Sequence, residues 1–143
     1  MVHVLLPVDG SKSATRATEK LVETFDWYKA RPQIDLFAVA LPVPRFPHMG
    51  VVVSPEMIER YYADEFEAML APSKKILDDA GAKYTVRTAI GSIAECIVEQ
   101  AGKSGSNMIY MGTRGMTALS NMVLGSVTTR VLHLARIPVV LIH

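Results

Sequence analysis

Cysteine, excess charge and long apolar runs are all scarce in this sequence. One cysteine among 143 residues, Cys96, rules out an internal disulfide and is typical of a protein from a reducing compartment. Fifteen lysines and arginines nearly balance 14 aspartates and glutamates, so neither nucleic acid nor an anionic membrane is an expected partner. No apolar run reaches the roughly 18 residues that predict a transmembrane helix. The first residues show no signal-peptide pattern, and we expect a cytoplasmic protein.

Metal-ligand spacing is also missing. The four histidines show no ligand spacing with one another or with the single cysteine, which argues against a metal site of the nitrogen and sulfur type. Half of the residues are hydrophobic and a fifth are charged, as in a globular protein. With no internal repeat and no linker, we expect a single domain over residues 1–143.

The most informative feature that is present is a spaced set of glycines. The segment MGTRGMTALSNMVLGS contains Gly112, Gly115 and Gly125-Ser126, with the spacing G-x2-G-x9-G-S. An apolar strand pattern precedes it and a helical pattern follows it. Glycines let main-chain N–H groups approach an anion, and the first helical turn adds unpaired donors and a positive dipole end. The segment therefore predicts a phosphate site, the alternative being glycines that serve only tight turns.

Neither of two common phosphate-binding motifs accounts for this segment. A P-loop requires a lysine before its serine or threonine, and none stands before Ser126. The dinucleotide fingerprint G-x-G-x-x-G is absent as well. The spacing thus indicates a backbone-built anion site of another kind.

Strand and helix patterns alternate along the chain. Short apolar runs predict five strands, at Val2–Val8, Ile34–Ala40, Lys83–Ala89, Met108–Met111 and Pro138–Ile142. Helical periodicity separates each strand from the next. This order predicts an α/β fold with a parallel sheet and helices on both faces, and a ligand site beyond the carboxyl ends of the strands.

Several residues mark helix ends and faces. Ser54-Pro55 predicts the start of a long helix that buries Ile58, Tyr62, Phe66 and Met69 on one face. Pro72 lies inside this pattern and should kink the helix or split it in two. Ser92 and Glu95 have the spacing of a capping box. Ser126 is the expected N-cap of the last helix.

The sequence resembles the universal stress protein family over nearly its whole length. The resemblance rests on the turn Pro7–Ser11, on Gly91-Ser92-Ile93-Ala94, on MGTRGMTALSNMVLGS and on the closing IPVVLIH. It implies a Rossmann-like, five-stranded parallel sheet of order 3-2-1-4-5. It also implies ATP binding, because family members that keep the full glycine pattern are the ones that bind this nucleotide.

The resemblance and the strand ends together suggest the adenosine side of the site. Asp9 ends the first strand; it either binds the ribose or the adenine edge, holds Mg2+ on the phosphates through water, or simply forms a turn. Pro7, Val8 and Val39 either form an apolar wall against adenine or belong to the ordinary core. Met111, at the end of the fourth strand, is included in the same cofactor-binding set.

The glycine segment supplies the phosphate side. We expect Gly112, Gly115 and Gly125 to bring the backbone to the phosphates, and Ser126 to touch them at the helix start. The N–H groups of the next two residues, Val127 and Thr128, are further donors, and Thr128 adds a hydroxyl. Arg114 either pairs with a phosphate or is solvated.

The sequence favours a regulatory, ATP-binding module of the stress response, with Mg2+ as a possible companion of the nucleotide. Two other classes stay open. One is an enzyme, a slow ATPase, and the other is a nucleotide-free dimeric interaction protein. The residues near the glycines do not offer the charge neutralisation and positioning that phosphoryl transfer requires, so no catalytic residue is assigned.

The last strand predicts assembly. Pro138–Ile142 is apolar and, in the order 3-2-1-4-5, it lies on the sheet edge. An exposed apolar edge promotes aggregation unless it is paired or covered. We expect a homodimer in which this strand pairs with its copy about a twofold axis.

Overall fold

The computed structural model describes residues 1–44, 53–114 and 124–143. Its strands are β1 (His3–Pro7), β2 (Gln33–Ala40), β3 (Tyr84–Ile90), β4 (Met108–Gly112) and β5 (Val139–Ile142). Its helices are α1 (Lys12–Glu23), α2 (Pro55–Asp79), α3 (Ile93–Ser104) and α4 (Ser126–Leu134). A single 3-10 turn, Phe25–Trp27, follows α1. None of the described helices combines the length and apolar character needed to cross a membrane.

The five strands form one parallel sheet in the order β3-β2-β1-β4-β5. The predicted α/β architecture and strand order are therefore confirmed. β1 lies at the centre and pairs with β2 on one side and β4 on the other. The chain reverses its winding direction between β1 and β4, so their carboxyl ends open a crevice where such sheets bind ligands.

Two apolar cores hold the helices to the sheet. Successive side chains of a strand point to opposite faces, and Leu6 accordingly packs in a cluster with Leu21 of α1. Leu5 packs on the other face, in a cluster with Ile97 of α3 and Val131 of α4. Full burial of one such side chain contributes about 1.5–3 kcal/mol to stability. The two clusters therefore hold the helices in fixed positions relative to the strand ends.

The turn between β1 and α1 has little room for side chains. Ser11 caps α1, because its Oγ accepts the N–H of Ala14 at 3.1 Å. Gly10 adopts a left-handed φ of 81°, which strains any residue with a Cβ. A Cβ at Gly10 would also lie 2.9 Å from the carbonyl oxygen of Ala68 in α2. Glycine is therefore required here for both conformation and packing.

Pro72 does not split α2, which runs unbroken over 25 residues; of the two predicted outcomes, the split is wrong. Pro72 has no N–H to donate to the carbonyl of Ala68, four residues earlier. That same carbonyl is the group that Gly10 approaches. Pro72 therefore leaves without its helical hydrogen bond the same carbonyl group that faces Gly10 of the β1–α1 turn.

The predicted buried face of α2 is only half-buried at Ile58, Tyr62, Phe66 and Met69. Full burial is confined to the second part of the helix, at Leu70, Ser73 and Leu77. The first part of α2 overhangs the carboxyl ends of the strands, where Tyr61, Glu65 and Met69 border a cavity. Phe66 and Met69 also pack against the edge of the core.

One predicted capping interaction and one predicted N-cap are corrected. Ser92 is the N-cap residue of α3, as predicted, but its side chain makes no capping hydrogen bond. The carboxylate of Glu95 instead accepts a hydrogen bond from Nε of Arg130 in α4, at 3.0 Å. The N-cap of α4 is Gly125, and Ser126 is the first helical residue, because Gly125 has the extended backbone that the cap position requires.

Candidate functional site

A cavity of about 800 Å3 opens at the carboxyl ends of β1, β2 and β4. Its walls come from these strand ends, from the start of α4 and from the overhanging part of α2. Eleven of the twelve residues predicted to bind the nucleotide line it: Pro7, Val8, Asp9, Val39, Met111, Gly112, Arg114, Gly125, Ser126, Val127 and Thr128. Gly115, the twelfth, lies outside the described residues.

The start of α4 presents backbone donors beside this cavity. Within the described residues, the first N–H of the helix with a backbone acceptor is that of Thr129, which donates to the carbonyl of Gly125 at 3.0 Å. The N–H groups of Ser126, Val127 and Thr128 belong to the first helical turn and donate to no acceptor in the part of the chain that the structure describes. All three residues line the cavity, so this helix end provides a positive, hydrogen-bonding surface for an anion.

Two hydrogen bonds join the end of β4 to the start of α4. The N–H of Gly125 donates to the carbonyl of Thr113 at 2.6 Å. The Thr128 hydroxyl donates to the carbonyl of Gly112 at 3.1 Å, and Thr128 is buried. The hydroxyl hydrogen of Thr128 is therefore engaged within the fold, which leaves its backbone N–H as the donor available to a ligand.

Gly112 is required by the packing of α1. A Cβ at this position would lie 2.7 Å from the carbonyl oxygen of Ser13 and would also overlap its Oγ. The Ser13 Oγ in turn accepts the N–H of Arg114 at 3.1 Å. The first turn of α1 thus holds the chain leaving β4, and it fixes where the Arg114 backbone begins.

Asp9 stabilises the turn after β1 and also borders the cavity. One of its carboxylate oxygens, Oδ1, accepts the N–H of Ser11 at 3.0 Å, which is the turn-forming role weighed from the sequence. The second oxygen has no hydrogen bond to another described residue, and Asp9 is only half-buried. A carboxylate oxygen in this position can accept a hydroxyl group from a ligand.

The apolar residues assigned to the adenine wall belong to the two cores as well. Val8 is part of the cluster under α1 and α2, whereas Val39 and Met111 are part of the cluster under α3 and α4. Each is buried, with at most 6% of its surface exposed. The two roles considered from the sequence are thus compatible, since the cavity floor is the upper layer of the core.

Sequence reasoning missed the wall that α2 contributes. Tyr61, Glu65 and Met69 follow one another at four-residue spacing along α2 and line the cavity together with Leu41 after β2. Met69, which was expected in the core, packs against the edge of the core as well. The spacing identifies a helix face, but only the tertiary placement of α2 shows that this face borders a cavity.

Metal-binding chemistry is limited in the part of the chain that the structure describes. No three histidine, cysteine, aspartate or glutamate side chains there are grouped to hold an ion. Burial, with the nearby carboxylates of Glu99 and Glu95, raises the pKa of the Cys96 thiol. Cys96 is thus kept in its protonated form, in which a thiol is neither a strong nucleophile nor a metal ligand.

Comparison with known proteins places the fold and the cavity in a wider context. A protein of Methanocaldococcus jannaschii, universal stress protein MJ0531, is 29% identical over 140 residues, which cover 97% of this chain and 80% of that protein. The solved structure of MJ0577 from the same organism superimposes with a TM-score of 0.80 at 26% identity, covering 98% of this chain and 94% of that one.

A third comparison concerns a nucleotide complex. The structure of the universal stress protein from Archaeoglobus fulgidus in complex with dAMP matches with a TM-score of 0.64 at 20% identity, over all of this chain and 98% of that one. At this identity the match shows a shared fold. The sequence model of the universal stress protein family matches residues 1–143. Since that match spans the full sequence and the strand order agrees with its solved relatives, this chain belongs to the universal stress protein family.

Proposed function

We propose that this protein binds ATP in the cavity over β1, β2 and β4 and acts as a nucleotide-dependent regulatory module. The observation that carries the proposal is the start of α4, where three N–H groups without a partner among the described residues meet a largely apolar cavity. A triphosphate matches the donors and the dipole at that end. An adenosine group matches the apolar remainder.

The phosphates would be held mainly by the backbone. The N–H groups of Ser126, Val127 and Thr128 donate to phosphate oxygens, and Arg114 supplies a positive charge at the same end of the cavity. Gly112 is buried by the packing of α1 and positions this segment. Gly115 remains part of the proposal from the sequence.

The nucleoside would occupy the rest of the cavity. Pro7, Val8, Val39 and Met111 provide apolar surface for adenine, and the second carboxylate oxygen of Asp9 accepts a ribose hydroxyl. Mg2+, when it accompanies the nucleotide, is bound by phosphate oxygens and water, with Asp9 as an outer ligand through water.

The dAMP complex of the Archaeoglobus fulgidus relative supports an adenine nucleotide as the ligand class. Binding is favoured over turnover because the described lining residues include no lysine or histidine. These are the side chains that most often neutralise a transferring phosphoryl group or orient attacking water.

Titration calorimetry with ATP and with adenosine tests the proposal. We expect ATP to bind in the micromolar range, about −7 to −8 kcal/mol, and adenosine to bind at least tenfold more weakly because it lacks the groups that α4 recognises. Arg114→Met should weaken ATP by about three- to tenfold and leave adenosine unchanged. The exposed Arg136→Met is the matched control.

Equal affinities for ATP and adenosine would show that the start of α4 is not the phosphate site. No binding of either compound would favour the nucleotide-free interaction protein. Mass spectrometry of small molecules released when the purified protein is denatured provides an independent identification of the ligand.

A further inference from the structure

Charge is distributed unevenly along the cavity. Three charged residues are present in the described lining, namely Asp9, Glu65 and Arg114. Arg114 lies at the β4 end, next to the start of α4. Glu65 comes from α2, which packs against β2 and α1 and so covers the opposite end. A nucleotide with its phosphates at α4 therefore directs its nucleoside toward Glu65.

Two contacts fix the height of Glu65 above the strand ends. On one side of it, α2 meets the β1–α1 turn through Ala68 and Gly10. On the other, the Tyr62 hydroxyl accepts the N–H of Val43, after β2, at 2.8 Å. Glu65 lies about one helical turn, or roughly 5 Å, from each of these contacts. Glu65 thus lies between the carboxyl ends of β1 and β2, on the side of Asp9 that is farther from Arg114.

The carboxylate of Glu65 has no protein partner among the described residues. It takes part in none of their hydrogen bonds or ion pairs, whereas nearby Glu67 faces away and pairs with Lys74 at 3.7 Å. The neighbours of Glu65 in the cavity wall are Tyr61 and Met69. Glu65 is half-buried, and because an ionised carboxylate only accepts hydrogen bonds, it favours a ligand that brings a donor.

We propose that Glu65 is a specificity-determining residue for the base, and that it accepts a hydrogen bond from the exocyclic amino group of adenine. The inference rests on the proposed ATP binding and extends it to the base. The Tyr61 side chain, in the same wall, offers an aromatic surface beside the base. A purine that lacks the amino group leaves the carboxylate without its donor and binds more weakly, as a site with an unpaired polar group does.

Calorimetry with two triphosphates tests this role. ATP is compared with purine riboside triphosphate, which lacks only the amino group. The unmodified protein should prefer ATP by about tenfold, the effect of one charge-assisted hydrogen bond. Glu65→Met should abolish this preference, chiefly by weakening ATP. Glu65→Gln should keep part of it, because the amide oxygen still accepts. Glu59→Met, on an exposed position of α2, is the control.

The outcomes separate this inference from the function on which it rests. If Glu65→Met weakens both triphosphates equally, or changes neither, Glu65 does not recognise the amino group, although ATP binding itself stands. If the unmodified protein binds both triphosphates equally, the base is read elsewhere or not at all, and the inference is wrong. If it binds neither triphosphate, the proposed ATP binding fails first.

Discussion

Asp9 has a structural role in its turn and a proposed binding role, and the two can be separated. Asp9→Asn keeps an oxygen for the Ser11 N–H and so should preserve the turn, whereas Asp9→Ala removes it. We expect both variants to weaken ATP, the alanine variant by about 1–3 kcal/mol. Only the alanine variant should also lower the melting temperature. A melting change in Asp9→Ala with unaltered affinity would show that Asp9 is only a turn residue.

The sequence did not anticipate the buried carboxylate of Asp35. Asp35 lies in β2 with no exposed surface, and its Oδ2 accepts a hydrogen bond from Nε of Arg87 in β3 at 2.8 Å. The His3 Nε2 lies 3.4 Å from the other oxygen, Oδ1, but neither atom has a hydrogen-bond partner in the described part of the chain. An aspartate within an apolar strand pattern gives no local sign of its partners, which come from two other strands.

Removing the arginine leaves this carboxylate without its strongest partner. We expect Arg87→Met to lower the free energy of unfolding by about 2 kcal/mol, less than for a fully buried pair because Arg87 is 45% exposed. Lys20→Met breaks an exposed pair with Glu23 and should change stability by less than about 1 kcal/mol. Urea unfolding measures both. Equal losses of unfolding free energy in the two variants would mean that the burial of Asp35 does not strengthen its ion pair.

At the scale of elements, most strand ends were predicted within one residue, because apolar runs flanked by turn residues are a local signal. The capping box at Ser92 was not formed, and the Glu95 carboxylate instead pairs with Arg130 of another helix, a contact that local spacing cannot show. The first part of α2 is less buried than its sequence predicted, because a helical period defines a face of the helix but not what covers that face. The sequence could predict that residues of β4 and of the start of α4 lie together at one cavity, whereas the α2 wall required the tertiary structure.

The link between α3 and α4 should be visible in a titration. The backbone N–H of Glu95, and then its hydrogen bond with Arg130, lower the pKa of this carboxyl group. The resulting stabilisation is present above the pKa of the unfolded chain and is lost as the pH falls through the folded pKa. We expect Arg130→Met to raise the pKa of Glu95 toward its ordinary value, as measured by carbon NMR. An unchanged pKa would leave the backbone N–H as its only cause.

Exchange of Gly112 and of Gly102 for alanine should change the stability of the protein in opposite directions. Gly112→Ala places a Cβ 2.7–2.8 Å from the Ser13 backbone and should destabilise the protein by more than about 2 kcal/mol. Gly102→Ala, within α3, meets no atom within 4 Å and should stabilise it by about 0.5–1 kcal/mol, because alanine favours a helix. Thermal unfolding distinguishes the signs. A tolerated Gly112→Ala would contradict the close approach of α1.

At the scale of the whole molecule, the two edges of the sheet are β3 and β5. We propose that β5 pairs with its copy in a homodimer, since its apolar side chains are only half-buried within one chain. The carbonyls of Pro138 and Ile142 accept N–H groups of the β4 side, so the N–H of Leu141 points to the outer edge. Leu141→Pro removes that donor and should yield monomer or aggregate in light scattering. Val86→Pro, on the opposite edge, should leave the dimer intact. A stable monomer of the unmodified protein at micromolar concentration would refute this arrangement.

The contact between Gly10 and the Ala68 carbonyl couples residues 10 and 72, which are far apart in the sequence. Any side chain at position 10 meets that carbonyl, and any residue other than proline at position 72 brings an N–H that draws the same carbonyl into the helix. The tolerance of one position therefore depends on the residue at the other. Because Gly10 also has a left-handed φ, exchange of either residue should lower stability, but the effects of the two exchanges should not add when they are combined.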